Sequence, residues 1–150
     1  MANTFTSLNY HVIFSTKGRE RWISQNIEAR VWSYLGGIAK ENRFHPKLIG
    51  GFDDHVHMLI GIPASVSLSE AVKLIKGGSS GWIKTTFPEC RAFAWQDGYA
   101  AFTVSKSSIP EVEEYVRGQR EHHRTKSFME EHRAFSQKYE VEYDERYLFD

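Results

Sequence analysis

Four short runs rich in β-branched and aromatic residues, interleaved with helical periodicities, constrain this chain more than any other feature. Residues 8–16 (LNYHVIFST) suit a strand. From Ser24, the recurrence of Ile27, Val31, Leu35 and Ile38 predicts a helix over 24–41. Residues 44–50 (FHPKLIG) predict a second strand, with Pro46 favouring a sheet edge or a bulge. Gly50 and Gly51 are then expected to turn the chain into a third strand over 54–62 (DHVHMLIGI). Ser67 and Glu70 form a capping-box pattern ahead of Ala71, Leu74, Ile75 and Trp82, predicting a second helix that ends near Phe87-Pro88. A fourth strand fits 99–105, and Ser108 with Glu111 suggests another capping box, with Pro110 in the first turn. The third helix should run to about His123 and a fourth over roughly 127–138, before the closing EVEYDERYLFD.

The order β-α-β-β-α-β-α is the split βαβ pattern. It predicts an α+β, ferredoxin-like or RRM-like fold: a four-stranded antiparallel sheet with helices on one face, plus a C-terminal tyrosine-bearing helix. In that topology the first and third strands are the central pair. No linker or repeat interrupts the chain, so one domain is expected over 1–128, with 129–150 as its acidic C-terminal helix or tail.

His55 and His57 stand two apart on the predicted third strand, so they share a face, about 6.5–7 Å from each other along the chain. Val56, Met58 and Ile60 should point the other way, into apolar surroundings. Two imidazoles at that spacing can hold one metal ion, or can be half-buried rings satisfied by backbone. Tyr115 and Gln119 stand four apart on the third helix, about 6 Å from each other on one face, with His122 further along. That pair could equally be an amphipathic edge tyrosine and a solvated glutamine. Gly118, inside the helix, costs about 1 kcal/mol relative to alanine.

The bulk numbers narrow the class. Hydrophobic residues make up 41% and charged residues 25%, an ordinary globular composition rather than a disordered one. Apolar runs are only a few residues long, so no membrane span is expected, and MANTFTSLNYHVIF has no secretory-signal pattern. The single cysteine, Cys90, cannot form an internal disulfide, which fits a cytoplasmic location. Net charge is zero, but residues 1–128 hold 16 basic against 12 acidic residues and residues 129–150 hold 3 against 7. The acidic tail thus offsets a modestly basic body, a distribution compatible with a nucleic-acid partner or with a solvated charged surface. Lys76-Gly77-Gly78-Ser79-Ser80 lacks Walker spacing, so no nucleotide-binding loop is expected.

The ordered set Asp54-His55-Val56-His57-Met58-Leu59-Ile60, then Trp95, Gly98-Tyr99, then Tyr115-Val116-Arg117-Gly118-Gln119 and His122-His123 resembles the single-tyrosine HUH transposases of small bacterial insertion sequences, the IS200-like family. The opening Tyr10-His11-Val12-Ile13-Phe14-Ser15-Thr16-Lys17 and the closing Tyr143-Asp144-Glu145-Arg146-Tyr147-Leu148 are similar to it as well. The resemblance implies that His55, His57 and Gln119 bind Mg²⁺ or Mn²⁺ and that Tyr115 is the nucleophile. It implies cleavage and rejoining of single-stranded DNA near hairpins through a 5′-phosphotyrosine link. It also implies a homodimer in which the tyrosine helix of one subunit can complete the other's metal site. Some relatives carry a glycine pair ahead of that helix as a hinge, where this chain has Ser105-Lys106-Ser107-Ser108.

Two imidazoles and an amide oxygen leave a cation its full charge and open positions, which suits Mn²⁺ or Mg²⁺. With one cysteine, a structural zinc site is not expected. Candidate phosphate contacts are Lys17, Arg19 and Arg21 after the first strand and Lys73, Lys76 and Lys84 on the second helix. His122 or His123 could assist proton transfer or touch phosphate, or could offset the helix dipole. Trp82, Phe87, Trp95 and Tyr99 could stack bases or pack in the core. Two other readings stand beside the transposase: a HUH nickase of replication-initiator or host-adopted type, and a non-catalytic single-stranded nucleic-acid-binding module.

Overall fold

The structure is a computed structural model that describes residues 3–123 and 128–138. Its strands are β1 (Asn9–Ser15), β2 (His45–Phe52), β3 (His55–Gly61) and β4 (Ala100–Thr103). They form one antiparallel sheet in the order β2-β3-β1-β4, which puts β1 and β3 at the centre as the split βαβ pattern requires. The register slips between Pro46 and Leu48 on the edge strand β2, where a residue without an N–H is tolerated.

Helices α1 (Glu28–Glu41) and α2 (Leu68–Thr86) cover one face. Val12 and Phe14 of β1 and Val56, Met58 and Ile60 of β3 point into a core shared with Val31, Leu35, Ala71, Ile75 and Ile83. Alternation along β3 therefore sends the opposite set, His55, His57 and Leu59, to the other face. The Ser67 hydroxyl accepts from the Glu70 N–H at 3.1 Å and starts α2 as its sequence predicts. Leu74, expected on the buried stripe, is instead exposed, and Val72 and Ser79 lie within the buried set.

Three expectations need correction. Gly50 and Gly51 do not make the hairpin turn; they lie inside β2, and Asp53-Asp54 form the turn. Their small size serves packing. A Cβ on Gly51 would collide with the His55 carbonyl, and one on Gly50 would meet the Val116 carbonyl oxygen at 2.9 Å. Second, the Ser108–Glu111 capping box does not form. Ser108 is already helical at φ −92°, because a 3₁₀ turn over Lys106–Ser108 runs into α3 (Ile109–Arg117), and its hydroxyl accepts from Ser105 instead. Third, the tyrosine helix is not continuous to His123. It breaks at Gly118 and resumes as α4 (Gln119–His122).

Helices α3 and α4 lie on the sheet face opposite α1 and α2, with Val116 against Gly50 and Gln119 against His55. A further helix, α5, spans Phe128–Lys138. The rest of the predicted tail, including Tyr143–Leu148, lies outside the described residues. Among the described residues, no helix is long and apolar enough to cross a membrane.

Candidate active site

Two adjacent strands and three helix segments converge on His55 and His57. Both rings are fully buried, held in central β3 between β1 and β2. The His55 Nδ1–H donates to the Asp54 carboxylate at 2.8 Å, which turns Nε2 toward α4. There it meets the Gln119 amide oxygen at 3.1 Å. Gln119 is itself 1% exposed, and its amide N–H donates back to the Tyr115 carbonyl at 3.2 Å, fixing which end of the amide faces the ring. The Nδ1 of His57 lies 2.8 Å from the Nε2 of His11 on β1.

Glu131 of α5 closes the cluster. Its Oε1 is 2.8 Å from the Nε2 of His57 and 3.8 Å from that of His55, and its Oε2 is 3.1 Å from the Nε2 atoms of both His122 and His123. This carboxylate is 1% exposed. Sequence reasoning misses it, because Glu131 falls in the acidic tail; Glu130-Glu131 in a segment of helical period is the available signal. The phenol oxygen of Tyr115 is 3.4 Å from the Nε2 of His122, and its ring stands edge-on to His57 with centroids 5.6 Å apart.

The donor set fits a divalent cation. With its Nδ1 proton directed at Asp54, a His55 that ligates through Nε2 would turn a lone pair toward another lone pair, on Gln119. Two such atoms do not bond to each other, but about 3 Å is the edge of an octahedron with 2.1 Å bonds. The Nε2 of His57 and both oxygens of Glu131 are buried without hydrogen-bonding geometry to any partner among the described residues, although close to one another. Buried polar atoms left this way call for an ion or water between them. One ligand atom each from His55, His57 and Glu131 lies within 4.8 Å of the others, the compass of a single ion.

Burial and charge pull the groups of this site in opposite directions. Burial holds His57 below its ordinary value, outweighing the pull of Glu131, and burial together with His57 does the same to His11. Burial alone would raise Glu131, yet the surrounding His57, His123 and His55 hold it well below the carboxylate range. Tyr115 is pushed far up, first by burial and then by the Glu131 carboxylate.

The tyrosine segment is pinned in place. Arg120, on α4, reaches Glu28 at 2.7 Å and Asp53 at 3.0 Å and lies over Phe52, tying α4 to the start of α1 and to the β2–β3 turn.

Residues 4–119 match the sequence profile of the family described as "Transposase IS200 like". The chain belongs to the IS200-like transposase family. Its relatives include the transposases for insertion sequence element IS200 of Salmonella typhimurium and Salmonella typhi. Each is 28% identical over 127 residues, covering 81% of this chain and 82% of the relative. Among solved structures, a candidate transposase from Deinococcus radiodurans superposes with a TM-score of 0.66 at 24% identity, covering 79% of this chain and 95% of the other. A REP-associated tyrosine transposase bound to a REP hairpin gives 0.57 at 9% identity, over 79% of this chain and 70% of that one. At these identities the two structures establish the shared α+β fold. Membership of an IS200-like transposase family supports a DNA-acting enzyme.

The other sequence-predicted residues fall in two places. Lys17, Arg19 and Arg21 follow β1 in a segment held to the Asp53-Asp54 turn by the Thr16 and Ile23 N–H groups, with Arg19 acting on the Asp54 carboxylate and Arg21 over the Phe52 ring; Gly18 and Arg19 take left-handed φ values of 65° and 57°. Lys73, Lys76 and Lys84 line a groove of about 430 Å³ between α2 and the Ala94–Tyr99 loop, which pairs with the end of β1 through Thr16 and Trp95. Lys76 is a strut there, donating to the carbonyls of Asp97 and Gly98 at 3.1 and 2.9 Å. Of the four aromatics, Phe87 and Trp95 are buried, with Trp95 donating to Ser79 at 2.9 Å. Trp82 stacks on Tyr34, and Tyr99 is exposed at the groove.

Proposed function

We propose that this transposase cleaves and rejoins single-stranded DNA with Tyr115 as nucleophile, beside a divalent metal held by His55, His57 and Gln119 and also by Glu131. The observation that carries the reading is the convergence, within one chain, of a phenol, two imidazole nitrogens, an amide oxygen and a carboxylate. A bound Mg²⁺ or Mn²⁺ would neutralise phosphate charge and polarise phosphorus toward attack.

The chain's own residues do the rest. The Tyr115 oxygen attacks phosphorus in line, and the P–O3′ bond breaks. The product is a 5′-phosphotyrosine link and a free 3′-OH, and attack by a 3′-OH on that link reverses the step without ATP. Because Tyr115 holds its proton tightly, a base must take it during attack. The Nε2 of His122 at 3.4 Å fits that role, and Glu131 at 3.1 Å would stabilise the imidazolium formed.

For the substrate, Lys17, Arg19 and Arg21 would hold phosphates beside the metal. Lys73 and Lys84, with Tyr99 as a stacking surface, would hold a hairpin-bearing strand in the α2 groove. His123 serves the site through Gln119, which its Nε2 approaches at 3.0 Å. Within one chain the tyrosine helix would serve the metal site in cis; in the homodimer that the resemblance implies, the same helix could instead complete the partner's site.

Purified protein with Mn²⁺ and a labelled hairpin-bearing single strand should give a covalent adduct that survives SDS. Tyr115→Phe should abolish the adduct and retain binding. An adduct with the variant would assign the nucleophile elsewhere. No adduct from either protein across a hairpin library would favour a binding module.

A further inference from the structure

The His57 ring is positioned by a residue that the metal-and-tyrosine reading leaves unused. His11 lies on β1 opposite Leu59, while His57 lies opposite Ile13, so the two histidines are diagonal neighbours on the same sheet face. His11 is 1% exposed. Its ring sits 5.0 Å from that of His57, tilted by 32°, and the two nitrogens meet at 2.8 Å. A buried polar ring in the middle of a sheet is costly unless its nitrogens are used, and a leucine or valine would pack there at no such cost.

The arrangement repeats, on the second histidine, the device seen on the first. The Nδ1 of His55 is held by Asp54, and the Nδ1 of His57 is held by His11. In both cases the nitrogen facing away from the cluster has a partner, and the two Nε2 atoms face Glu131 at 3.8 and 2.8 Å. An imidazole that ligates through Nε2 must carry its proton on Nδ1, and a ligating histidine commonly donates that proton to an outer acceptor, which fixes its tautomer and aim. Asp54 supplies an anionic acceptor for His55. A neutral acceptor at His57 gives the same orientation and adds no second negative charge beneath the buried carboxylate of Glu131.

We propose that His11 is a positioning residue: its Nε2 accepts the Nδ1–H of His57 and so presents the His57 Nε2 lone pair to the divalent cation. This rests on the metal reading above, and the test separates the two. Mn²⁺ affinity is measured without DNA, by electron paramagnetic resonance of free Mn²⁺, for wild type, a His55→Ala/His57→Ala control, His11→Phe and His11→Gln.

His11→Phe keeps the ring volume and removes the acceptor; it should weaken Mn²⁺ binding about 10- to 100-fold. His11→Gln restores an acceptor oxygen and should recover most of that loss. Equal affinity for His11→Phe and wild type overturns the positioning role and leaves the metal site standing. Wild-type binding no tighter than the double-alanine control overturns both. Should His11→Phe fail to fold, imidazole nitrogen NMR of wild type loaded with Zn²⁺ decides. The expected result is a proton on Nδ1 of His57 and none on Nε2 of His11. A proton on Nε2 of either ring overturns the proposal.

Discussion

Replacing Gly50 with alanine should disable the site from a residue that touches none of the chemistry. The Gly50 Cα faces α3 across the sheet, and a methyl there would sit 2.9 Å from the Val116 carbonyl oxygen and 3.2 Å from its Cγ1. Ordinary contact begins near 3.4 Å, so the helix must retreat by about 0.5 Å, and the backbone carbonyl has no rotamer with which to escape. Overpacking of this kind costs about 1–3 kcal/mol. At 150 residues, each kcal/mol lowers the melting temperature by roughly 2–4 °C. Val116 follows Tyr115 directly and precedes Gln119 by three, so the retreat carries the phenol and the amide with it. If a 1 Å misplacement costs about 100-fold in rate, half of that predicts roughly a tenfold slower Tyr115 adduct. Gly37→Ala is the matched control: its methyl would meet nothing within 4 Å on an exposed turn of α1, and it should gain about 1 kcal/mol. Chemical unfolding and adduct kinetics on both variants test the reasoning. A Gly50→Ala protein with wild-type stability and rate would show that α3 does not lie against this strand.

Other perturbations probe separate links. Glu131→Gln keeps the volume and removes the charge. Mn²⁺ affinity should fall by at least tenfold, and the Tyr115 phenol, relieved of its anionic neighbour, should titrate at lower pH by ultraviolet difference spectroscopy. Arg120→Ala severs the links to Glu28 and Asp53. For these partly exposed pairs the stability loss should be only about 1 kcal/mol, yet adduct formation should slow more than that implies, because α4 loses its tether. For pH, burial depresses His11 and His57, so the unfolded chain binds more protons as pH falls; their contribution to stability is full above the unfolded value of 6.5 and declines below it. Urea midpoints at pH 7.5 and 5.5 should therefore differ, and His11→Gln should shrink the difference. Lys73→Glu with Lys84→Glu should weaken binding of a hairpin-bearing strand and flatten the salt dependence of its logarithmic affinity by about one for each phosphate no longer neutralised; an unchanged slope would remove the α2 groove from the binding surface.

What could be read in advance, and what could not, follows from the range of the forces involved. Alternation along His55–Ile60 and the capping serine at Ser67 are local, and both survive in the structure. The central placement of β1 and β3 also followed, because the split βαβ order leaves few other arrangements. Gly50 and Gly51 misled because a glycine pair signals a turn on local grounds, whereas here it makes room for the Val116 carbonyl and the His55 carbonyl. The break at Gly118 was visible as a helix penalty, but its use was not, since it separates Tyr115 from Gln119 only in the context of what each packs against.

Glu131 carries no such local signal. Its charge makes it look solvated, one acid among several in a tail, and no spacing rule connects it to histidines more than 70 residues earlier. Yet a carboxylate at 1% exposure can persist only where cations or imidazoles surround it. The four histidines around it, His55, His57, His122 and His123, come from one strand and one helix end. Each of those histidines could be assigned a bland role when taken alone, and Glu131 removes that option, because its buried charge must be balanced by protons or by a cation. Burial holds His57 below its ordinary value, so on the proposed reading a divalent cation at Oε1 would supply that balance. On that reading the metal would sit at one oxygen of Glu131, and His122, the proposed proton acceptor for Tyr115, lies 3.1 Å from the other. Both halves of the proposed chemistry would then depend on one side chain, so Glu131→Gln should cost more than removal of any one of the four imidazoles.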